Sequence, residues 1–271
     1  AHTRPVRDSV IARRSITPAP LLHVKLKSPL LLTLLAAIIG GFLIFKQIND
    51  ATDRHGRAAY AHTEALLACG PRPADSEGLK KAQQYISTEL AKHGWSTMSQ
   101  SLVRDTPLGK KTFVNLIARF QTEKLENLED LKAINTKGIL GAHLDSKMIP
   151  GIPDFLGADD AASACALIIE LAAELGKNHP ELAKQLEIVF FDGEEAFGEN
   201  ITPTDGLYGS RAYAFTLYDR KPKPQFGIVL DMIGHQDLKI AVPADTDRKL
   251  YQSLLNAAQA KGYEKHYGMA K

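Results

Sequence analysis

Apolar residues recur at two spacings along this chain, and the spacing changes mark its elements. Leu79, Ala82, Tyr85, Ile86 and Leu90 fall three and four positions apart. That predicts a helix over Gly78–His93, capped by Asp75 or Ser76. Ala61–Ala68 has the same character, and Gly70-Pro-Arg-Pro73 breaks it. Thr97–Leu102 and Thr112–Phe120 alternate apolar with polar residues, as half-buried strands do. Glu123–Asn135 is charged and reads as a loop or edge insertion.

Beyond it the pattern becomes regular. Short apolar runs at Gly138–Ala142, Leu186–Phe191 and Phe226–Leu230 predict strands, with another at Lys239–Val242. Helical spacing between and after them predicts helices over Ala161–Leu175, Gly206–Leu217 and Arg248–Gly262. Strands that are apolar throughout and separated by helices imply an α/β fold: a twisted, mostly parallel or mixed sheet covered by helices.

One run obeys neither rule. From Pro29 to Phe45 the chain carries no charge and a single hydroxyl, Thr33. As a helix it would span roughly 25 Å, close to a hydrocarbon core. A cleaved signal peptide has a shorter apolar core and a small-residue exit, whereas Phe-Leu-Ile-Phe-Lys-Gln follows here. We therefore expect a basic cytoplasmic tail over 1–27 and a transmembrane anchor over 28–46. A linker over 47–60, or the start of a helix leaving the membrane, and a single domain over 61–271 would follow.

Charge agrees with that division. The 271-residue chain has a net charge of +2. Residues 1–27 hold six basic side chains against Asp8, a balance of +5 that leaves −3 on the other 244 residues. Basic residues before the apolar run predict a cytoplasmic N-terminus and a domain across the membrane. The domain itself has no basic excess, which argues against nucleic acid as a partner. Two cysteines, Cys69 and Cys165, are too few for a disulfide framework and lack metal-site spacing; Cys165 reads as a small buried hydrophobe.

The chemistry gathers at strand ends. The first apolar strand runs into His143-Leu-Asp145-Ser146, the second into Asp192-Gly-Glu194-Glu195, the third into Asp231. Gly157-Ala-Asp159-Asp160 precedes a helix. Each piece has an ordinary reading: a hydrogen-bonded His, a helix-capping Asp pair, a solvated Glu pair, a turn-forming Asp. Together they place one imidazole and several carboxylates at the carboxyl ends of strands, where open α/β sheets bind ligands. Such groups repel unless a cation balances them, and nitrogen and oxygen donors suit zinc.

The strings Gly141-Ala-His-Leu-Asp-Ser146, Gly157-Ala-Asp-Asp160, Phe190-Phe-Asp-Gly-Glu-Glu-Ala-Phe197, Leu207-Tyr-Gly-Ser-Arg211 and Leu230-Asp-Met-Ile-Gly234 resemble the M28 metallopeptidase superfamily. Within it they are most similar to the glutaminyl-peptide cyclotransferase branch. The resemblance covers roughly residues 60–240 and implies one or two zinc ions and peptide N-termini as substrate. It implies Asp160 and Glu195 as metal ligands and Glu194 as general acid/base. His143 and Asp231 would ligate a second metal or serve as polar support at the catalytic site. Asp145 would orient the imidazole of His143, Asp159 would be a loop or cap residue, and Ser210 and Arg211 would fix a helix start.

Three departures qualify it. The superfamily's C-terminal His, in a His-Thr/Ser-x-x-Asp setting, has no counterpart; His235 and His266 stand in other contexts. The chain begins with Ala and reaches Lys271 after one further helix, so we expect a piece of a longer protein. The loop after Phe197 lacks the Trp of vertebrate cyclases, and Ala142 stands where their disulfide partner of Cys165 would be. Cyclisation of N-terminal Gln, aminopeptidase hydrolysis and a non-catalytic ectodomain of the same fold all stay open on sequence alone.

Overall fold

A computed structural model describes residues 54–122 and 125–269. The apolar run over 28–46 lies outside the described residues, and among those described no helix is long and apolar enough to cross a membrane. The segment expected as a linker over 47–60 is helical from residue 54, in a helix α1 over 54–67.

α2 (Glu77–Lys92) follows the Gly-Pro-Arg-Pro break, and Ser76 caps it by accepting from the Leu79 N–H. It buries Leu79, Ala82, Ile86 and Leu90, the face its periodicity predicted. β1 (Trp95–Thr106) and β2 (Gly109–Phe120) form a long hairpin. The charged segment after it contains a short helix α3 (Leu128–Ala133) rather than only loop. Asn127 and Asp130 close a capping box there, and Leu131 is buried.

β3 (Gly138–His143), α4 (Ala164–Asn178), α5 (Pro180–Ala183) and β4 (Leu186–Phe191) come next. After them come α6 (Tyr208–Thr216), β5 (Phe226–Val229), β6 (Ile240–Val242), α7 (Arg248–Ala260) and β7 (Tyr267–Met269). The main sheet has the order β1-β2-β4-β3-β5, and β6 pairs with β7 separately. β3 runs parallel to β4 and to β5. β2 runs antiparallel to both β1 and β4. The sheet is therefore mixed, one of the two expected forms, with half of its pairings antiparallel.

β4 sits at the centre and is buried along its length. Leu186, Ile188 and Phe190 pack with α1, α2 and α4 on one face. Val189 and Phe191 pack with Leu131 and Tyr213, from α3 and α6, on the other. Burial on both faces explains the run of apolar side chains in β4, which Glu187 interrupts. Each such side chain contributes about 1.5–3 kcal/mol.

Candidate metal centre

His143 is the last residue of β3, and the ladder continues one step beyond it, with the Leu144 N–H donating to the Phe191 carbonyl at 2.8 Å. On the other side the Leu230 N–H donates to the Gly141 carbonyl, which carries β5 up to Asp231. The third contributor is the wide turn Ala158–Ser163 ahead of α4, where the predicted helix Ala161–Leu175 starts late. Gly157 enters that turn at φ +56, and a Cβ there would lie 2.1 Å from the Asp160 carbonyl oxygen, so only glycine fits.

These three elements bring His143, Asp160 and Asp231 together, with one ligand atom from each within 4.8 Å of the others. Nε2 of His143 is 2.8 Å from Oδ1 of Asp160 and 3.5 Å from Oδ1 of Asp231. On its other side Nδ1 lies 3.4 Å from Oδ1 of Asp145, a contact that lacks hydrogen-bond geometry. The His143 carbonyl accepts from the Cys165 thiol. Burial would lower the imidazole's pKa; the surrounding carboxylates of Asp145, Asp160 and Asp231 more than offset it and raise it well above the ordinary value. The nearby imidazole of His143 holds Asp231 below the usual carboxylate range.

Asp145 does more than face the imidazole. Its two oxygens accept from the backbone N–H groups of Glu194 and Glu195, each at 3.1 Å, which fixes both glutamates on the loop after β4. Glu194 is pushed up by burial, with Asp145, Asp231 and Asp160 adding to the rise. Burial, then Asp160 and Asp145, raise Glu195 to about 7. Glu195 stands outside the His143–Asp160–Asp231 triple. The expected metal set named His143, Asp160 and Glu195, with Asp231 as a ligand of a second metal or as support at the catalytic site; the geometry groups Asp231 with His143 and Asp160. Glu195 instead lies beside Lys147, whose Nζ is 3.4 Å from Oε2 and donates to the Ala196 carbonyl.

Asp159 acts as the expected loop residue, accepting from the Gly234 N–H at 2.6 Å and so tying the turn to the loop after Asp231. Arg211 donates to the Pro203 and Thr202 carbonyls and Ser210 to Leu207, which fixes the approach to α6. His266 bonds to the Leu238 carbonyl and His235 accepts from the Asp237 N–H; neither joins the triple. Both cysteines are free.

Several supports went unread in the sequence. Asp192 accepts from the Val114 N–H, and Asn115 accepts from the Asp192 N–H while donating to Gln100 and to the Gly209 carbonyl. Asp205 accepts from Phe197, Gly198 and Tyr208, closing the loop below Glu195. Asn115 had a signal, a lone amide inside an apolar strand run. Asp205 had none beyond its place in a loop.

The donor set fits a divalent cation. One imidazole and the carboxylates of Asp145, Asp160, Asp231, Glu194 and Glu195 converge, and Lys147 is the basic group that meets one of them. An N/O set without thiolate suits zinc; Cys165 is spent on a carbonyl and its thiol is pushed up to about 12 by burial.

The profile of Peptidase family M28 matches residues 125–269, more than half of the chain, and the chain belongs to that family. A glutaminyl-peptide cyclotransferase of Dictyostelium discoideum is 39% identical over 163 residues, covering 55% of this chain and 44% of that protein. A glutaminyl-peptide cyclotransferase-like protein of Mus musculus is 31% identical over 179 residues, covering 60% and 44%. The chain thus spans less than half the length of these curated relatives. Among solved structures, an Acidobacteriales bacterium glutaminyl cyclase matches with a TM-score of 0.65 at 27% identity, over 80% of this chain and 73% of that one. A Zn-dependent exopeptidase from Parabacteroides distasonis matches with a TM-score of 0.65 at 25% identity, over 79% and 76%.

Proposed function

We propose that this chain carries the catalytic part of a zinc-dependent glutaminyl-peptide cyclotransferase. The observation that carries the reading is the setting of Glu194. It is pinned through its N–H to Asp145 beside the His143–Asp160–Asp231 triple, with its pKa raised by burial. A carboxylate moved toward neutrality can both take and return a proton. The curated relatives named above support the choice of reaction.

In this reading an N-terminal Gln of a peptide enters with its α-amine near Glu194. The amine nitrogen attacks the γ-carbonyl carbon and the bond from that carbon to the amide nitrogen breaks. Glu194 takes the proton from the amine and delivers it to the departing nitrogen, which leaves as ammonia; the ring left behind is pyroglutamate. Asp160 and Glu195 would hold zinc, with His143 and Asp231 as support or as ligands of a second ion. The metal, when bound, supplies Lewis-acid polarisation of the carbonyl. Asp145 keeps Glu194 and Glu195 in place throughout.

Incubation of the zinc-loaded protein with a Gln-initiated peptide tests this: ammonia and a pyroglutamyl peptide should form, with no free amino acid. A second reading, aminopeptidase hydrolysis, is favoured by one observation. The chain's single Trp, Trp95, is buried in the core with its Nε1–H on the Ala172 carbonyl, so it cannot line a Gln pocket. Release of free N-terminal amino acids would select that reading. The proposal extends to location: the uncharged run within 28–46 and the basic residues before it support a membrane anchor with the catalytic domain on the far side. Extraction of the full chain by alkaline carbonate, without detergent, would refute the anchor.

A further inference from the structure

We propose that Arg72 is a positioning residue for the metal centre, clamping the two loops that present His143, Asp145 and Asp160; the inference rests on the metal reading above. Arg72 lies in the Gly70-Pro-Arg-Pro73 segment, which breaks the helix before it. Its side chain is wholly buried, at 0% exposure. Nε donates to the Leu144 carbonyl at 3.1 Å, the residue between His143 and Asp145. One terminal nitrogen donates to the Gly157 carbonyl at 3.1 Å, at the entrance to the turn that bears Asp160. The backbone joins in: the Arg72 N–H donates to Ser146 Oγ and the Ser146 N–H donates to the Arg72 carbonyl.

A buried guanidinium ordinarily sits against a carboxylate. Among the described residues Arg72 has no carboxylate at ion-pair distance, and its remaining terminal nitrogen makes no hydrogen bond. Its donors are spent on two carbonyls from separate loops, which a planar fork reaches and a single ammonium does not. The charge lies close enough to Asp145 to feel it, so it also offsets part of the negative cluster from behind. Anchoring of both loops by one rigid group sets the separation of His143 from Asp160. Groups that orient ligands in this way typically change metal affinity by about 10–100-fold when altered.

The test uses zinc alone, titrated against a chromogenic chelator, on the full chain and on Arg72→Lys, Arg72→Gln, Asp160→Asn and Arg119→Lys. Both Arg72 variants should bind zinc at least about tenfold more weakly. Arg119→Lys, a buried arginine remote from the centre, should lower thermal stability and leave zinc affinity unchanged, which separates positioning from general destabilisation. Wild-type affinity in Arg72→Lys overturns the inference while Asp160→Asn still shows the metal reading to hold. Equal zinc binding by wild type and Asp160→Asn overturns both. If the Arg72 variants fail to fold, Ser146→Ala decides: with its circular dichroism unchanged it should bind zinc several-fold more weakly, and unchanged affinity overturns the inference.

Discussion

Two clusters of charge sit at opposite ends of β4. Near its start, Glu187 is fully buried and receives two hydrogen bonds from Arg220, at 2.9 and 3.0 Å, and one from the Tyr213 hydroxyl. Arg119 stands 3.9 Å away and donates to Thr136 and to the Asn135 and Lys184 carbonyls. Past its end lie Glu194, Glu195 and their neighbours. The first cluster offsets one acid with two guanidiniums and closes itself from water. The second has carboxylates in excess, and the side chains of Asp160 and Asp231 remain 35% and 52% exposed. In the first network the acid is fully hydrogen-bonded and every member is buried, so it serves structure. The second, half-open and with carboxylates in excess, is the one a cation would stabilise, so the excess of carboxylate rather than the presence of charge marks the site.

That contrast can be broken most sharply at Glu194. Glu194→Gln keeps the shape and the backbone bond to Asp145 but cannot carry a proton. Turnover of a Gln-initiated peptide should fall about 10²–10⁴-fold, with zinc affinity and melting temperature near wild type. Activity that persists would remove Glu194 from the reaction.

Glu187→Ala probes the other end. It leaves Arg119 and Arg220 buried without their acid, and unfolding free energy in denaturant should drop by about 3–5 kcal/mol. Zinc affinity of the fraction still folded should not change. A loss of zinc binding at matched folding would show that the two clusters are coupled across the strand and not independent.

How much of this contrast was legible beforehand differs by kind of signal. Strands β3 and β4 were readable because burial on both faces writes a nearly unbroken apolar run, broken in β4 by Glu187; β5, though largely exposed, is also a short apolar run, and the site residues were readable because they follow those runs. Direction was not: the alternation over Thr112–Phe120 does not say which way β2 runs beside β4, and it runs antiparallel. Nor could spacing alone choose which carboxylates meet. Asp231 joins His143 because β5 pairs with β3, whereas Glu195 is next in line to Lys147. Arg72 is separated from Leu144 and Gly157 by more than 70 residues, and only tertiary structure joins them. The Asn127–Asp130 capping box was in plain view within a segment whose charge suggested loop.

Asp145 sharpens the comparison at intermediate scale. Asp145→Asn retains one acceptor oxygen but loses charge and one of its two bonds to the Glu194 and Glu195 amides. Zinc affinity should weaken by about 10–100-fold, measured by chelator competition. An unchanged affinity would mean the loop after β4 is held by Asp192 and Asp205 instead.

The smallest effect separates the clusters by pH. Glu195 titrates near 7 in the folded chain against an ordinary value of 4.5, chiefly because it is partly buried and then because Asp160 and Asp145 are near. A carboxyl with a raised folded pKa contributes stability that is complete below its unfolded pKa and is lost as pH rises through the folded one. The window for the metal-free protein is therefore about pH 4.5 to about pH 7, and Glu194, also raised, acts in the same sense. Asp231, held low by His143, has its own window below that range. In a chelator-containing buffer Glu195→Gln should melt at nearly the wild-type temperature near about pH 5 and above it near about pH 8, because the amide mimics the protonated acid. Zinc should reverse the order at the upper pH, since the ionised carboxylate is what a cation stabilises. A gap between the two proteins that stays constant across the window would place the Glu195 charge among the matched groups, satisfied by Lys147 alone, and would move the boundary between the balanced and unbalanced ends of β4.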